Sequence, residues 1–186
     1  MTIAMQVALV LPDWVRDEVP MDKLFPGQRE RIGLAIELSR CNVAHGTGGP
    51  FGAAVFDGPG RLLGIGVNQV LASNCSAAHA EVMALSSSQQ QLQRFRLNSQ
   101  GGPITLATSA QPCAMCYGAL IWAGIDEVLI GARSDDVQAL AHFDEGPLPT
   151  DWMGELQRRG IAVHRDLSRD EACKVLRDYG EIGVVY

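Results

Sequence analysis

Two short clusters of reactive side chains, 34 residues apart, carry the chemistry that this sequence can perform. His79 and Glu81 form the first cluster, and Pro112, Cys113 and Cys116 form the second. One imidazole and two thiolates supply three ligands, the number that a catalytic zinc uses when its fourth position is left to water. Structural zinc sites normally use four ligands. The clusters therefore predict one catalytic Zn²⁺ per chain, held by His79, Cys113 and Cys116.

Glu81 is predicted to be the acid-base group of this site. Residues two apart cannot both face a pocket from the middle of a helix, but His79 and Glu81 can do so at a helix tip. Two thiolates make zinc a weaker Lewis acid, so a carboxylate is needed to take a proton from the metal-bound water. A Cys-x-x-Cys pair alone is equally a redox pair or half of a structural zinc site. The alternative from another class is therefore a non-catalytic, zinc-stabilised interaction module.

Alternating helical and β-rich segments must position these clusters. Two β-rich runs, 51–57 and 61–67, flank a Gly-Pro-Gly turn and predict a hairpin. Further strands are predicted over 104–108, 127–132 and 161–164, and helices over 29–43, 78–96, 114–122 and 168–179, with a short helix or loop over 135–143. Ser168 and Glu171 form the pattern of a capping box. The β-α-β order favours an α/β fold with some parallel pairing and helices on both faces of one sheet.

Length and composition limit the class of protein. The 186 residues correspond to a single domain, 1–186, and residues 1–26, with three prolines, are predicted to be an extension packed on its body. Apolar residues make up 47% and the net charge is −6, so nucleic acid and anionic membrane are not expected as partners. The apolar run 3–11 is too short to span a bilayer. Five cysteines without a visible export signal indicate the reducing cytoplasm.

Together, the two clusters form the His-x-Glu and Pro-Cys-x-x-Cys signature of zinc nucleobase deaminases. The sequence resembles the cytidine deaminase-like superfamily, and within it the bacterial guanine deaminase branch. The resemblance is carried by segments 49–53, 74–84, 112–116 and 143–145 together with Asn68 and Trp122. It implies a three-layer α/β/α fold around a five-stranded mixed sheet, a homodimer with its sites near the interface, and hydrolysis of guanine to xanthine and ammonia.

The resemblance also implies roles for residues outside the two clusters. Phe51 would pack on the base, Asn68 would hydrogen-bond its polar edge, and Trp122 would line the pocket. Glu145 would handle the amino group as it leaves. The terminal Tyr186, in the C-terminal segment 146–186, would close over the site as an aromatic lid. Four of these five residues have a structural alternative: core packing for the two large aromatics Phe51 and Trp122, a turn for Asn68, and a frayed end for Tyr186.

Two departures from the family pattern leave the substrate open. Residues 75–78 read Cys-Ser-Ala-Ala where relatives often have Asp-Pro-Thr-Ala, and Gln111 stands where many have Glu. The alternatives to guanine are cytosine, an ammeline-type triazine and adenosine in tRNA. Cys75 is interpreted as a free thiol, because a fourth ligand would leave no place for water. The basic residues near the C-terminus are interspersed with acids, which favours an ordinary solvated face; they are Arg158, Arg159, Arg165, Arg169, Lys174 and Arg177.

Overall fold

A five-stranded mixed sheet organises the protein, whose computed structural model describes residues 3–182. The strands are β1 (Gly52–Phe56), β2 (Leu62–Val67), β3 (Thr105–Ala110), β4 (Glu127–Ala132) and β5 (Ala162–His164), in the order β2-β1-β3-β4-β5. Strand β1 pairs antiparallel with β2 and β3, whereas β3 with β4 and β4 with β5 are parallel pairs. The predicted hairpin and the mixed sheet are thus confirmed.

Helices cover both faces of this sheet. They are α1 (Trp14–Glu18), α2 (Gln28–Ala44), α3 (Val70–Ser73), α4 (Ala80–Leu92), α5 (Ala114–Ala123), α6 (Ser134–Ala141), α7 (Trp152–Arg158) and α8 (Arg169–Gly180). Apolar residues of α2 and α8 pack with Phe56 and Leu129 on one face. Those of α4 and α5 pack with Val55 and Val128 on the other face. The strands are therefore buried on both sides, and the three-layer α/β/α architecture is confirmed.

The strand directions bring three chain segments to one edge of the sheet. Strands β2 and β3 both run antiparallel to β1, so both end at the edge where β1 begins. Phe51 directly precedes β1, Asn68 directly follows β2, and Cys113 lies just beyond the end of β3. Helices α4 and α5 follow these two strand ends. The topology thus collects the predicted site residues at a single edge.

The close approach of α4 to β2 depends on a glycine. A Cβ at Gly66 would lie 1.9 Å from the carbonyl oxygen of Ala80 and 2.4 Å from the amide nitrogen of Ala84. No larger residue fits between strand and helix at this distance. Because Ala80 is the first residue of α4, Gly66 helps to fix where that helix begins.

Some local predictions differ from the structure. The helix predicted over 78–96 spans only Ala80–Leu92, because His79 is extended and Gln93 has a left-handed φ of 52° that ends the helix. The capping box predicted at Ser168 is wrong, since Ser168 has a left-handed φ of 49° and its side chain caps nothing. The short helices α1, α3 and α7 have too few residues to produce a helical period in the sequence.

The N-terminal segment lies along α2. Trp14, Val15 and Phe25 are buried. The Phe25 N–H donates to the Gly60 oxygen at 2.8 Å, which ties the segment to the β1–β2 turn. Residues 3–8 are exposed. No helix within residues 3–182 is both long and apolar enough to cross a membrane.

Candidate active site

The three predicted zinc ligands lie at the starts of two helices. His79 is the N-cap of α4, Cys113 is the N-cap of α5, and Cys116 lies in the first turn of α5. One ligand atom from each side chain lies within 4.8 Å of the other two, and Cys113 Sγ is 3.5 Å from His79 Nδ1. The i, i+3 spacing brings both cysteines to one side of α5. The three side chains are therefore placed to hold one metal ion.

The hydrogen bonds and charges around Cys113 and Cys116 favour the binding of a cation. Hydrogen bonds from the Cys116 thiol and from His79 lower the pKa of the Cys113 thiol to about 4. The pKa of Cys116 is raised, because it holds the proton shared with Cys113 and because it is buried. The N-terminal end of α5 favours the resulting negative charge. A divalent ion that displaces the shared proton fits this pair, and zinc prefers such a set of nitrogen and sulfur donors.

The donor set supplies three ligands. Among residues 3–182, no fourth His, Cys, Asp or Glu belongs to the cluster. Cys75, four residues before His79, is a partly buried free cysteine outside it. A tetrahedral zinc held by three protein ligands keeps a position for water, which is the arrangement of a catalytic site.

Glu81 lies beside the cluster, in the first turn of α4. Its Oε1 accepts a hydrogen bond from Thr108 Oγ1 at 3.2 Å, and its Oε2 accepts one from Cys116 Sγ at 3.3 Å. Burial raises the pKa of the Glu81 carboxyl above its usual range, and the charge at Cys113 raises it further. Glu81 is thus a buried carboxyl in contact with a ligand residue, and its elevated pKa suits a group that must accept and return a proton.

A cavity of about 430 Å³ opens over these groups. This volume lies within the range of about 300–1,000 Å³ that is usual for small-molecule sites. The lining residues are Phe51, Asn68, Val70, Ser76, His79, Glu81, Gln111, Cys113, His142, Phe143, Asp144 and Glu145. The structure therefore brings Phe51, Asn68 and Glu145 to the same cavity as His79, Glu81 and Cys113. Cys116, the third predicted zinc ligand, does not line the cavity and is fully buried.

The two walls of the cavity nearest the sheet are made by Phe51 and Asn68. The ring of Phe51 packs edge-on against Phe143, with centroids 5.3 Å apart, so it belongs to the core and to the cavity at once. The Asn68 side-chain oxygen accepts a hydrogen bond from the Val70 N–H at 3.3 Å. This contact fixes which end of the Asn68 amide carries the oxygen, and turns the amide nitrogen away from Val70.

Glu145 supplies a second carboxyl to the cavity. Its backbone oxygen accepts a hydrogen bond from the Ala114 N–H at 2.9 Å, which attaches the loop after α6 to the start of α5. Burial raises the pKa of the Glu145 carboxyl to about 8, and the charges at Glu81 and Cys113 add to this effect. At neutral pH the group therefore carries a proton that it can give up.

Two predicted site residues are not brought to this cavity. Trp122 is 79% exposed and lines a different cavity with Phe95. Nine residues along a helix correspond to about half a turn beyond two full turns, so Trp122 points away from the side occupied by Cys113. Tyr186 lies outside the described residues.

Gln111 and His142 are polar residues of the cavity to which the sequence motifs assign no role. Gln111 is 7% exposed and directly precedes Pro112; it was notable only as a departure from the glutamate of many relatives. His142 has a left-handed φ of 63° at the end of α6 and is close in sequence to Glu145. Their closeness in the sequence to Pro112 and Glu145 is a signal that marks both residues as candidates.

Solved structures of similar chains cover nearly the whole protein. The guanine deaminase of Nitrosomonas europaea is 43% identical, with a TM-score of 0.88 over 97% of this chain and 98% of its own. A chain solved in complex with 2,6-diaminopurine is also 43% identical and gives a TM-score of 0.91 over 97% of this chain and 96% of its own. Variants of that chain, with an asparagine or a glutamate substituted, were solved with 8-azaguanine. Those two residues have the same separation along their chain as Asn68 and Glu145 have here.

Curated relatives point to the same family. The guanine deaminase of Bacillus subtilis is 38% identical over 111 residues, which are 60% of this chain and 67% of the relative. A tRNA-specific adenosine deaminase of Buchnera aphidicola is 29% identical over 119 residues, 64% of this chain and 72% of the relative. The zinc-binding region of cytidine and deoxycytidylate deaminases matches residues 28–132, which include His79, Glu81 and both cysteines of the cluster. On this match, which spans more than half of its length, the chain belongs to the cytidine and deoxycytidylate deaminase family of zinc enzymes.

Proposed function

We propose that the protein hydrolyses guanine to xanthine and ammonia. The observation that carries this proposal is the position of a three-ligand zinc cluster and buried Glu81 at one cavity with Asn68 and Glu145. Guanine deaminases from two bacteria are similar to this chain, and a similar chain binds 2,6-diaminopurine. Similarity to these proteins favours a planar purine that bears an amino group as the substrate class of this protein.

Phe51 and Asn68 would bind the base. The face of the Phe51 ring offers an apolar surface for a planar ring system. Asn68 offers a side-chain amide, whose orientation is held by the Val70 N–H, to the polar edge of the base. Apolar contact with a few placed polar groups is the usual composition of a small-molecule site.

Glu81 would move the proton that the reaction requires. A zinc ion held by His79, Cys113 and Cys116 would activate a water molecule by lowering the pKa of that water. Glu81 accepts one proton of the attacking water as the oxygen bonds to C2, the carbon that bears the amino group. Glu81 then delivers this proton to the adjacent ring nitrogen, which allows C2 to become tetrahedral. Its position beside Cys116, 3.3 Å away, places the carboxyl within reach of both steps.

Glu145 would assist departure of the amino group. The bond from C2 to nitrogen breaks only if the nitrogen is protonated, because ammonia is a far better leaving group than its anion. With its pKa raised to about 8, the Glu145 carboxyl holds a proton at neutral pH and donates it to the departing nitrogen. The second proton of the water molecule remains on the oxygen that is bonded to C2. Transfer of this proton to Glu145 leaves the carbonyl of xanthine and restores the acid form of Glu145.

A tRNA substrate is disfavoured by how the basic side chains are used. Arg158 and Arg159 both bind Glu155, Arg169 binds Asp136, and Lys174 binds Asp178. Cations paired in this way do not form the unpaired basic stripe that attracts a phosphate backbone. The net charge of −6 acts in the same direction.

We also propose that the enzyme is a homodimer that works in the cytoplasm. Phe95 and Trp122 are 87% and 79% exposed on the surface formed by α4 and α5, and contact with a second copy would cover them. The thiols of Cys113 and Cys116 must stay reduced to bind zinc, which a reducing compartment ensures. One catalytic domain, 1–186, with the segment 146–186 contributing a lid, completes the proposal.

The proposed function is tested by measuring ammonia release from a panel of amino-heterocycles. We expect the zinc-loaded protein to release ammonia from guanine, and much less from guanosine, adenine, cytosine, cytidine or ammeline. A higher rate on another member of the panel would replace guanine as the substrate. Bound zinc without ammonia release from any member would favour the non-catalytic interaction module.

A further inference from the structure

Asn42 is a fully buried amide that serves none of the steps described above. It lies near the end of α2, and 0% of it is exposed. Its Nδ2 donates to the Gly49 oxygen at 2.9 Å and to the Asn68 oxygen at 3.0 Å. Its Oδ1 accepts from Thr47 Oγ1 at 2.7 Å. A side chain that makes these bonds to two separate loops, and none to its own helix, acts as a clamp between them.

The two loops that Asn42 joins are the two walls of the proposed base pocket. Gly49 lies two residues before Phe51, and its oxygen also accepts the Phe51 N–H at 2.8 Å. The Asn68 N–H in turn donates to the Phe51 oxygen at 3.1 Å. Backbone hydrogen bonds thus connect Gly49, Phe51 and Asn68. The Asn42 amide adds hydrogen bonds to the backbone oxygens of Gly49 and Asn68.

We infer that Asn42 is a positioning residue that sets Phe51 and Asn68 at the spacing required to hold the base. This inference rests on the proposed function, since it assigns those two residues to substrate. Asn42 itself does not line the cavity. It acts through the Gly49 and Asn68 carbonyls, which fix the backbone from which the two pocket side chains project.

The residue at position 48 must be glycine for this clamp to close. A Cβ at Gly48 would lie 1.9 Å from the Asn68 oxygen and 2.8 Å from Asn42 Nδ2. The absence of a side chain lets the two carbonyls and the amide converge. Gly48 is therefore required for the hydrogen bond between Asn42 and Asn68, although it does not line the cavity.

The N-terminal segment supports the clamp from outside. Trp14 Nε1 donates to Thr47 Oγ1 at 3.1 Å, and Gln69 Nε2 donates to the Thr47 oxygen at 2.9 Å. The Thr47 hydroxyl in turn donates to Asn42 Oδ1. This chain of contacts links Trp14 of the N-terminal segment to Asn42 through Thr47.

The test measures KM and kcat for guanine in Asn42→Ala and Asn42→Asp, with wild-type turnover established first in the same assay. Asn42→Asp keeps the shape but places a carboxylate oxygen against two carbonyls. In both variants we expect KM to rise about tenfold, and kcat to change about twofold or less, because binding geometry and not proton transfer is altered. Zinc content should stay at the wild-type value. If the wild type does not deaminate guanine, the proposed function is wrong. If the wild type deaminates guanine but KM does not rise in the two Asn42 variants, only the inference about Asn42 is wrong.

A matched control separates positioning from stability. Ser39 lies one turn earlier in α2, is equally buried, and its Oγ bonds only to Ile36 of the same helix. Ser39→Ala should lower the melting temperature without raising KM. An equal rise of KM in Ser39→Ala would reduce the role of Asn42 to general stability and overturn the inference.

A double-mutant cycle tests whether Asn42 acts through Asn68. In an Asn68→Ala background the pocket amide is already absent, so Asn42→Ala should raise KM about threefold or less instead of about tenfold. Full additivity would contradict a positioning role.

Should Asn42→Ala fail to fold, Thr47→Val removes the bond to Asn42 Oδ1 from a less buried position and should raise KM about threefold. An unchanged KM in Thr47→Val would equally overturn the inference.

Discussion

Among single residues, the carboxyls of Glu81 and Glu145 differ in their environments. Glu81 contacts a zinc ligand and a threonine hydroxyl, whereas Glu145 lies on a loop over the same cavity. Both pKa values are raised, mainly by burial. Two carboxyls at one cavity can therefore divide the work, Glu81 on the attacking water and Glu145 on the departing nitrogen.

Glu145→Gln should lower kcat with guanine by about 10²–10⁴-fold, because the variant cannot donate a proton to the departing nitrogen. The substitution keeps the size of the side chain and the backbone bond to Ala114. We expect zinc content, measured by elemental analysis, and KM to stay near wild-type values. A kcat within about twofold of wild type would remove Glu145 from the proton path.

The sequence identified most of these residues, and the reason differs from one to another. His79, Cys113 and Cys116 are recognisable because residue type and spacing alone specify a metal site. Trp122 was implied by resemblance only; its position on α5 relative to Cys113 directs it away from the cavity of its own chain. Asn42 carries no motif at all, since its role depends on loops that meet only in the folded chain.

At the scale of elements, the start of α4 depends on its contact with β2. Gly66→Ala places a Cβ 1.9 Å from the Ala80 oxygen, and neither backbone can move without disturbing the other. We expect a loss of about 3 kcal/mol in the free energy of unfolding, together with weaker zinc binding because His79 precedes Ala80. Urea unfolding and competition with a chelator measure these two effects.

The matched control for this substitution is Gly33→Ala in α2. A Cβ there meets nothing within 4 Å, so the change should stabilise the helix by up to about 1 kcal/mol. Equal effects of the two substitutions would contradict the role given to the contact between β2 and α4.

Helices α6 and α8 are joined by an ion pair whose contribution depends on pH. Arg169 binds both oxygens of Asp136 at 2.7 Å and lowers the pKa of that carboxyl from 3.8 to about 2. A carboxyl with a lowered pKa in the folded state stabilises the fold above its unfolded pKa, and loses this contribution as the pH falls through the lowered value. Asp136→Asn should therefore lower the free energy of unfolding at neutral pH, and only by a small amount, since exposure of Arg169 to solvent weakens the pair.

The difference between Asp136→Asn and wild type should be constant above about pH 5 and should shrink between about pH 4 and pH 2. Urea unfolding at several pH values measures it. Asp135→Asn removes the same charge from an exposed neighbour in the first turn of α6 and should show a smaller loss. A loss that grows as the pH falls would contradict the assignment.

Elements were predictable where a period or a turn marks them. The hairpin was predictable because Gly58, Pro59 and Gly60 separate two β-rich runs, and it is present. The end of α4 was not, because the polar run at residues 89–91 continues a helical pattern while Gln93 turns left-handed. The capping box at Ser168 failed for a related reason: the same residue types do not cap a helix when the backbone at Ser168 is left-handed.

At the scale of the whole molecule, the exposed aromatics of α5 and the segment after α4 mark the proposed dimer interface. Trp122→Glu places a charge in this surface, and burial of an unpaired charge is strongly unfavourable. We expect the wild type to sediment as a dimer and Trp122→Glu as a monomer. Met21→Glu, an exposed apolar residue on the N-terminal segment, should leave the dimer intact. A monomeric wild type would contradict the dimer proposal.

A zinc titration of the chelator-treated protein tests whether one zinc ion and Glu81 together hydrolyse guanine. Ammonia release from guanine should rise with added zinc and stop increasing at about one ion per chain, because the three side chains of the cluster are placed to hold a single ion. Glu81→Gln should bind the same amount of zinc and release ammonia about 10²–10⁴-fold more slowly. Full turnover by the zinc-free protein, or by Glu81→Gln, would contradict the account.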